Sequence, residues 1–283
     1  MSAPDHEEHI HMPSPSIWPF IVVAGIGMLP LGGVLLANPA MLGEVKALAS
    51  ISAATQRVLA MALLGGGTLL ILFAGMGWIT SVIREKYDMD IAWGNRVLSM
   101  GWKLFLVSEA AIFGSFFAHY FYTLYHIKPG GWPPAGTPHL NLMIPMMGTL
   151  ILVTSSFTCE FGHKALLAGK RGLCKSWLMV TLILGFVFMT LQSWEWGHLI
   201  AKYGFTPTTN IFGTHFYLIT GFHGAHVITG LLLLALVYAR LEMGSFDRTR
   251  HFSLNAASWY WHFVDVIWVF VFLLVYVVTN SGL

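Results

Sequence analysis

Charge is what this sequence most conspicuously lacks: only 10% of its 283 residues are Asp, Glu, Lys or Arg. A water-facing surface needs roughly 25–35% of such residues, so a soluble globular domain is excluded. The few charges are balanced, 15 Lys+Arg against 13 Asp+Glu, which leaves no concentrated basic face for a nucleic acid. Cysteine is almost as scarce. Cys159 and Cys174 provide neither a disulfide framework nor the paired C-x-x-C spacing of a zinc or iron–sulfur site. A basic opening segment is missing too. Residues 1–17 hold no Lys or Arg and carry Asp5, Glu7 and Glu8, so no cleaved signal peptide is expected.

What is present is apolar. The chain is 56% hydrophobic with 11 Trp and a mean hydropathy of +0.68. A bilayer core about 30 Å thick needs about 20 apolar residues per helix, and seven runs of that kind lack Lys and Arg: residues 17–37, 58–83, 104–125, 142–162, 177–196, 212–238 and 257–278. An all-α, seven-span membrane protein is therefore expected. Breakers separate the runs at Asn38-Pro39, at Lys128-Pro-Gly-Gly-Trp-Pro-Pro-Ala-Gly136 and at Thr206-Pro-Thr-Thr209. The expected organisation is a polar tail over 1–16, a two-helix unit over 17–90 and a five-helix bundle over 91–283. Of the 15 cationic residues, 11 fall in the loops after the second, fourth and sixth runs. Positive flanks stay in the cytoplasm, which places the N-terminus inside and the C-terminus outside.

Four runs carry one acid each: Glu109, Glu160, Glu195 and Asp265. An intramembrane carboxyl is a functional candidate by default, and its plain alternative is a hydrogen bond to a neighbouring helix. Glu160/His163 and Glu195/His198 have the i, i+3 spacing used by di-iron bundles. Their depths separate them. One pair ends its run near the inner face and the other near the outer, about 25 Å apart at 1.5 Å per residue, too far to share a metal pair. Glu109 and Asp265 fall about five and eight residues into their runs from the inside, at neighbouring heights. His223 and His226 lie on one helix face; two ligands on one helix do not make a metal site, and interhelical hydrogen bonds are the expected use. In the tail, His6-Glu-Glu-His-Ile-His11 reads as solvated chain, with proton collection at the surface as the alternative.

Three stretches stand out together: Gly221-Phe-His-Gly-Ala-His-Val227, Trp259-Tyr-Trp-His-Phe-Val-Asp-Val-Ile-Trp268, and Ser108-Glu109. With Trp78, Val82-Ile-Arg-Glu85, His163, Leu184-Gly-Phe186, Gln192, Glu195, Gly213 and Phe216 in the same order, the sequence resembles subunit III of the haem–copper cytochrome c oxidases. The resemblance is strongest from Trp177 to Val278. Asn255, Glu160 and Ala118 depart from that family's usual Glu, Thr and Trp.

The resemblance implies a chain without catalytic, cofactor-binding or metal-ligating residues, with haem and copper held by partner subunits I and II of an aa3-type oxidase in the aerobic respiratory chain. It implies stabilisation of subunit I, support of proton uptake, and phospholipid held in a cleft between spans 1–2 and spans 3–7. Glu109, Glu195, His223, His226, His262 and Asp265 are the motif residues carried over, and Trp78, Arg84 and Glu85 the lipid-binding ones. The implied setting is a bacterial inner membrane, within reach of a larger respiratory assembly. A related quinol oxidase and a proton-coupled transporter stay open as alternatives, although the proline positions do not form the paired broken helices of an inverted repeat.

Overall fold

The computed structural model describes residues 16–38, 52–84, 91–127, 131–243 and 252–280; the side chains of 78–84 and 91–95 are outside what it describes. The polar tail up to residue 15, Pro39 and the start of the Lys128 linker also fall outside. Among the described residues there is no strand. That follows from the solvent, since a helix satisfies its backbone N–H and C=O groups internally where lipid offers no partner.

Among the described residues, seven helices are long and apolar enough to cross a membrane: α1 (Trp18–Ala37), α2 (Ala53–Arg84), α3 (Ile91–Ile127), α4 (Met143–Leu167), α5 (Arg171–Tyr203), α6 (Ile211–Glu242) and α7 (Phe252–Val271). The last continues through a wider π-helical segment, Phe272–Val278. From α2 onward the helices outrun most of the apolar stretches that announce them. Intrahelical hydrogen bonds do not stop at the edge of the hydrocarbon, and Lys or Arg can join the terminal turns by reaching for the interface. Glu109 lies near the middle of the helical stretch Arg96–His126 and Asp265 at the centre of Phe252–Val278.

The chain divides into two compact units, Met1–Ile91 and Ala92–Leu283. In the first, α1 and α2 cross through small residues. A Cβ on Gly25 would stand 2.9 Å from the Gly67 carbonyl oxygen, one on Gly67 would stand 2.9 Å from that of Gly25, and Gly32 faces the Ala60 carbonyl equally closely. Lipid tails are as apolar as Leu, so such close backbone approach, and the dispersion it brings, is what associates helices here. Gln56 closes the end of α1, donating from Nε2 to the Leu35 carbonyl at 2.8 Å.

In the second unit α4 packs on α5, α5 on α6, α6 on α7, and α7 returns to α4. Helix α3 is tied to the others by Trp102 Nε1, which donates to the Ala256 carbonyl at 2.9 Å, and by Phe113, edge-on to Phe222 at 5.3 Å. Trp261 is fully buried. A Cβ on Gly185 of α5 would meet its ring at 2.7 Å, and one on Gly230 of α6 at 2.8 Å. Two glycines thus open the slot that one indole fills. Its Nε1 is satisfied by Ser155 Oγ at 2.9 Å.

One end of this unit is closed by aromatics. Trp132, in the loop before α4, meets Tyr120 and Phe212 edge-on at 5.6 and 5.7 Å. Asn210 caps α6 by accepting from the Gly213 N–H at 2.8 Å, and its amide donates to Thr137 Oγ1 at 2.9 Å. One side chain therefore starts a helix and holds the loop against it.

Candidate functional site

Among the described residues, four clusters hold most of the acids and histidines inside the five-helix unit. The first joins α3 to α6: Glu109 Oε2 and His226 Nε2 are 2.9 Å apart, with both side chains largely buried. His226 Nδ1 stands 2.8 Å from the Phe222 carbonyl, which can only accept, so Nδ1 carries a hydrogen. Nε2 then either accepts from a carboxylic acid or, as imidazolium, donates to a carboxylate. In both forms the pair is electrically neutral as a whole, which suits a lipid-surrounded bundle. A second charge has no place there.

The second cluster joins α5 to the π-helical segment. Tyr276 donates its hydroxyl to Glu195 Oε2 at 2.7 Å, and Gln192 Nε2 donates to the same oxygen at 3.2 Å. Glu195 is 4% exposed. Its i+3 neighbour His198 stacks instead on Trp194, ring centres 5.3 Å apart. The i, i+3 spacing is met in sequence, and the two side chains do different things.

The third cluster lies between α4 and α7. Ser156 Oγ and His262 Nδ1 are 2.6 Å apart; Glu160 sits 3.9 Å from His262 Nε2 and 3.2 Å from Lys164 Nζ. Asp265 is 5% exposed, with the Ser156 hydroxyl beside its carboxyl. The fourth is a pair of histidines that sequence reasoning passed over. His119 Nδ1 stands 2.7 Å from His215 Nε2, and His215 Nδ1 is 2.7 Å from the Ile211 carbonyl. That carbonyl takes the His215 hydrogen, so His119 is the donor between the rings. Only α3 and α6 side by side reveal it, because nothing in either local sequence marks the partner.

His223, expected beside His226 on one face, is on that helix but in another setting. It is fully buried among Phe113, Phe188 and Trp268, ring centres at 6.5, 6.0 and 5.0 Å. Neither ring nitrogen has a hydrogen-bond partner among the described residues. Among those residues no group of three or more His, Cys, Asp or Glu is arranged to hold a metal. Cys159 and Cys174 are free and buried.

Of the residues carried over for lipid, Trp78 and Arg84 belong to α2 with their side chains outside the described residues, and Glu85 lies outside them altogether. A different cationic groove is formed within the five-helix unit. Arg96, Ser99 and Lys103 of α3 face Trp259 of α7 across about 520 Å³, with Lys103 Nζ 5.1 Å above the Trp259 ring. The aromatic face holds the ammonium in place without consuming its hydrogens.

Comparison with known proteins runs the length of the chain. The family model described as cytochrome c oxidase subunit III matches residues 8–280. A protein of Synechocystis sp. named cytochrome c oxidase subunit 3 is 42% identical over 174 residues, 61% of this chain and 72% of that one. The cytochrome c oxidase subunit 3 of Triticum aestivum is 34% identical over 275 residues, 94% of this chain and 95% of its own. A probable cytochrome c oxidase subunit 3 of Rickettsia felis is 31% identical over 295 residues, 98% of each chain. With seven spanning helices and these matches, the chain belongs to the cytochrome c oxidase subunit III family, a multi-pass membrane subunit of a multi-subunit oxidase.

Proposed function

We propose that the chain is the non-redox third subunit of an aa3-type oxidase in a bacterial inner membrane, N-terminus inside, where it stabilises subunit I, contacts subunit II, supports proton uptake and retains phospholipid. The observation that carries this reading is the use made of its buried polar residues. Glu109 is joined to His226, Glu195 to Tyr276, and Ser156 to His262, each across helices. Groups bound to each other in this way rigidify a scaffold.

Retention of phospholipid is supported by the family resemblance at Trp78, Arg84 and Glu85. It is supported separately by Arg96, Lys103 and Trp259, whose two cations and one interfacial ring suit a lipid phosphate. The reading is tested by purifying the chain from its own membrane in mild detergent, identifying its companions by mass spectrometry and recording a reduced-minus-oxidised spectrum. Haem-bearing subunits should accompany it. Haem retained by the isolated chain, or purification as a lone protein, would overturn the reading.

A further inference from the structure

The histidines that join α3 to α6 bring two ring nitrogens face to face, His119 Nδ1 and His215 Nε2, 2.7 Å apart. His215 Nδ1 stands 2.7 Å from the Ile211 carbonyl, which keeps a hydrogen on that nitrogen and leaves Nε2 with its lone pair. A ring held in this way, one nitrogen tied to a backbone carbonyl and the other left bare, is how metal-ligating histidines are commonly oriented. Tyr120 steadies it further. Its ring packs edge-on to His215 at 5.8 Å, and its hydroxyl donates to the Leu274 carbonyl at 2.9 Å. His215 is 3% exposed, whereas His119 is exposed, so the pair opens outward through His119.

One hydrogen lies between the two rings, and a cation can take its place. A neutral imidazole carries its hydrogen on either nitrogen; moving that of His119 from Nδ1 to Nε2 turns a second lone pair toward His215 without gain or loss of a proton. Two nitrogens bound side by side to one ion at about 2.0–2.1 Å stand roughly 2.9–3.4 Å apart, so the exposed His119 ring has only to swing outward by about half an ångström. Depth lets water complete the shell. His215 is four residues from the start of α6, and His119 seven from His126, where the α3 span ends, or about 6 and 10 Å from those ends at 1.5 Å per residue. The spans are 32 and 31 residues long and outrun a hydrocarbon core about 30 Å thick by about 8 Å at each end, so the pair sits at the edge of the core. None of the ion pairs among the described residues includes either histidine. Neutral imidazoles suit Zn²⁺, Cu²⁺ and Ni²⁺, whereas Mg²⁺ and Ca²⁺ take oxygen ligands.

We propose that His119 and His215 bind a divalent transition-metal ion, water filling its remaining positions, and that the bound ion links α3 to α6. Two imidazoles are fewer than the ligands of a closed structural site, so the ion is exchangeable and is added or removed from solution. The test uses the whole complex purified in mild detergent and washed with chelator, with zinc chloride as the probe and bound zinc counted by equilibrium dialysis. His119→Gln and His215→Gln should each bind one zinc fewer per complex than the unaltered protein, and magnesium in large excess should not compete. The glutamine at 215 still offers an oxygen to the His119 hydrogen, so this variant keeps the hydrogen bond and loses only the ligand. Zinc bound by other subunits cancels in the difference. A second measurement needs no variant and decides alone where the variants do not assemble. In the unaltered complex zinc, and not magnesium, should suppress diethyl pyrocarbonate modification of His119 severalfold, read by mass spectrometry. Equal zinc counts in all three assembled proteins, or modification of His119 indifferent to zinc, would overturn the proposal. The site is built from this chain alone, so its failure leaves the reading as an oxidase subunit untouched.

Discussion

At the scale of single residues, the membrane makes each buried polar contact an alternative to something worse, yet measured interhelical hydrogen bonds in lipid average only about 0.6 kcal/mol and reach about 1.7. Glu109→Gln keeps a donor for His226 Nε2, so turnover of the assembled enzyme should fall only modestly and thermal stability hardly at all. Glu109→Leu strands the imidazole and should cost up to about 1.7 kcal/mol, seen as easier thermal loss of this chain from the purified oxidase. Tyr276→Phe leaves Glu195 with Gln192 alone; a loss of about 1 kcal/mol in the same assay is expected, with Gln192→Leu adding to it. The acids and the motif histidines were legible in the sequence because a charge in an apolar run is conspicuous. Their partners were not. Tyr276 and Ser156 are ordinary residues for a span, His119 and His215 are not among the motif histidines, and helical periodicity shows which face a side chain occupies without showing which residue on another helix sits at the same height.

At the scale of helices, their number was readable from run length, while their ends were not, because apolarity stops at the hydrocarbon edge and the hydrogen-bond ladder does not. Which glycines matter was equally hidden. The sequence has 29, and Gly185 and Gly230 are distinguished only by the Trp261 ring that both confront. Gly230→Ala drives a methyl to within 2.8 Å of a rigid indole. Overpacking of this kind typically costs about 1–3 kcal/mol, and differential scanning calorimetry of the purified complex should show it. Gly114, with nothing within 4 Å of an added Cβ, should accept Ala with little change.

At the scale of the whole molecule, the cationic residues predict a direction. Lys164, Lys170, Arg171, Lys175 and Arg240 sit at one end of the five-helix unit, where Lys175 pairs with Glu242 at 2.7 Å. The opposite end is closed by Trp132, Tyr120, Phe212 and the histidine pair. If the cationic end is cytoplasmic, alkaline phosphatase fused after Asn280 should be active and the same fusion in the α4–α5 loop inactive. The reverse pattern would invert the topology.

The π-helical segment at the end of α7 also bears on how the gene can change in length. A π turn bonds i to i+5, one residue more per turn than the α-helix it interrupts. Phe272–Val278 therefore holds a residue that the helix can surrender by rewinding into ordinary α geometry. Leu273, 45% exposed, is the candidate for removal. Deleting it should leave a folded, membrane-inserted chain with Asn280 still able to reach the Leu140 carbonyl, whereas deleting Leu234 from the regular, buried stretch of α6 rotates every later side chain by about 100° and should abolish assembly. Helical content by circular dichroism and co-purification with the haem subunits would separate the two outcomes, and equal damage from both deletions would show that the wide turn has no slack to give.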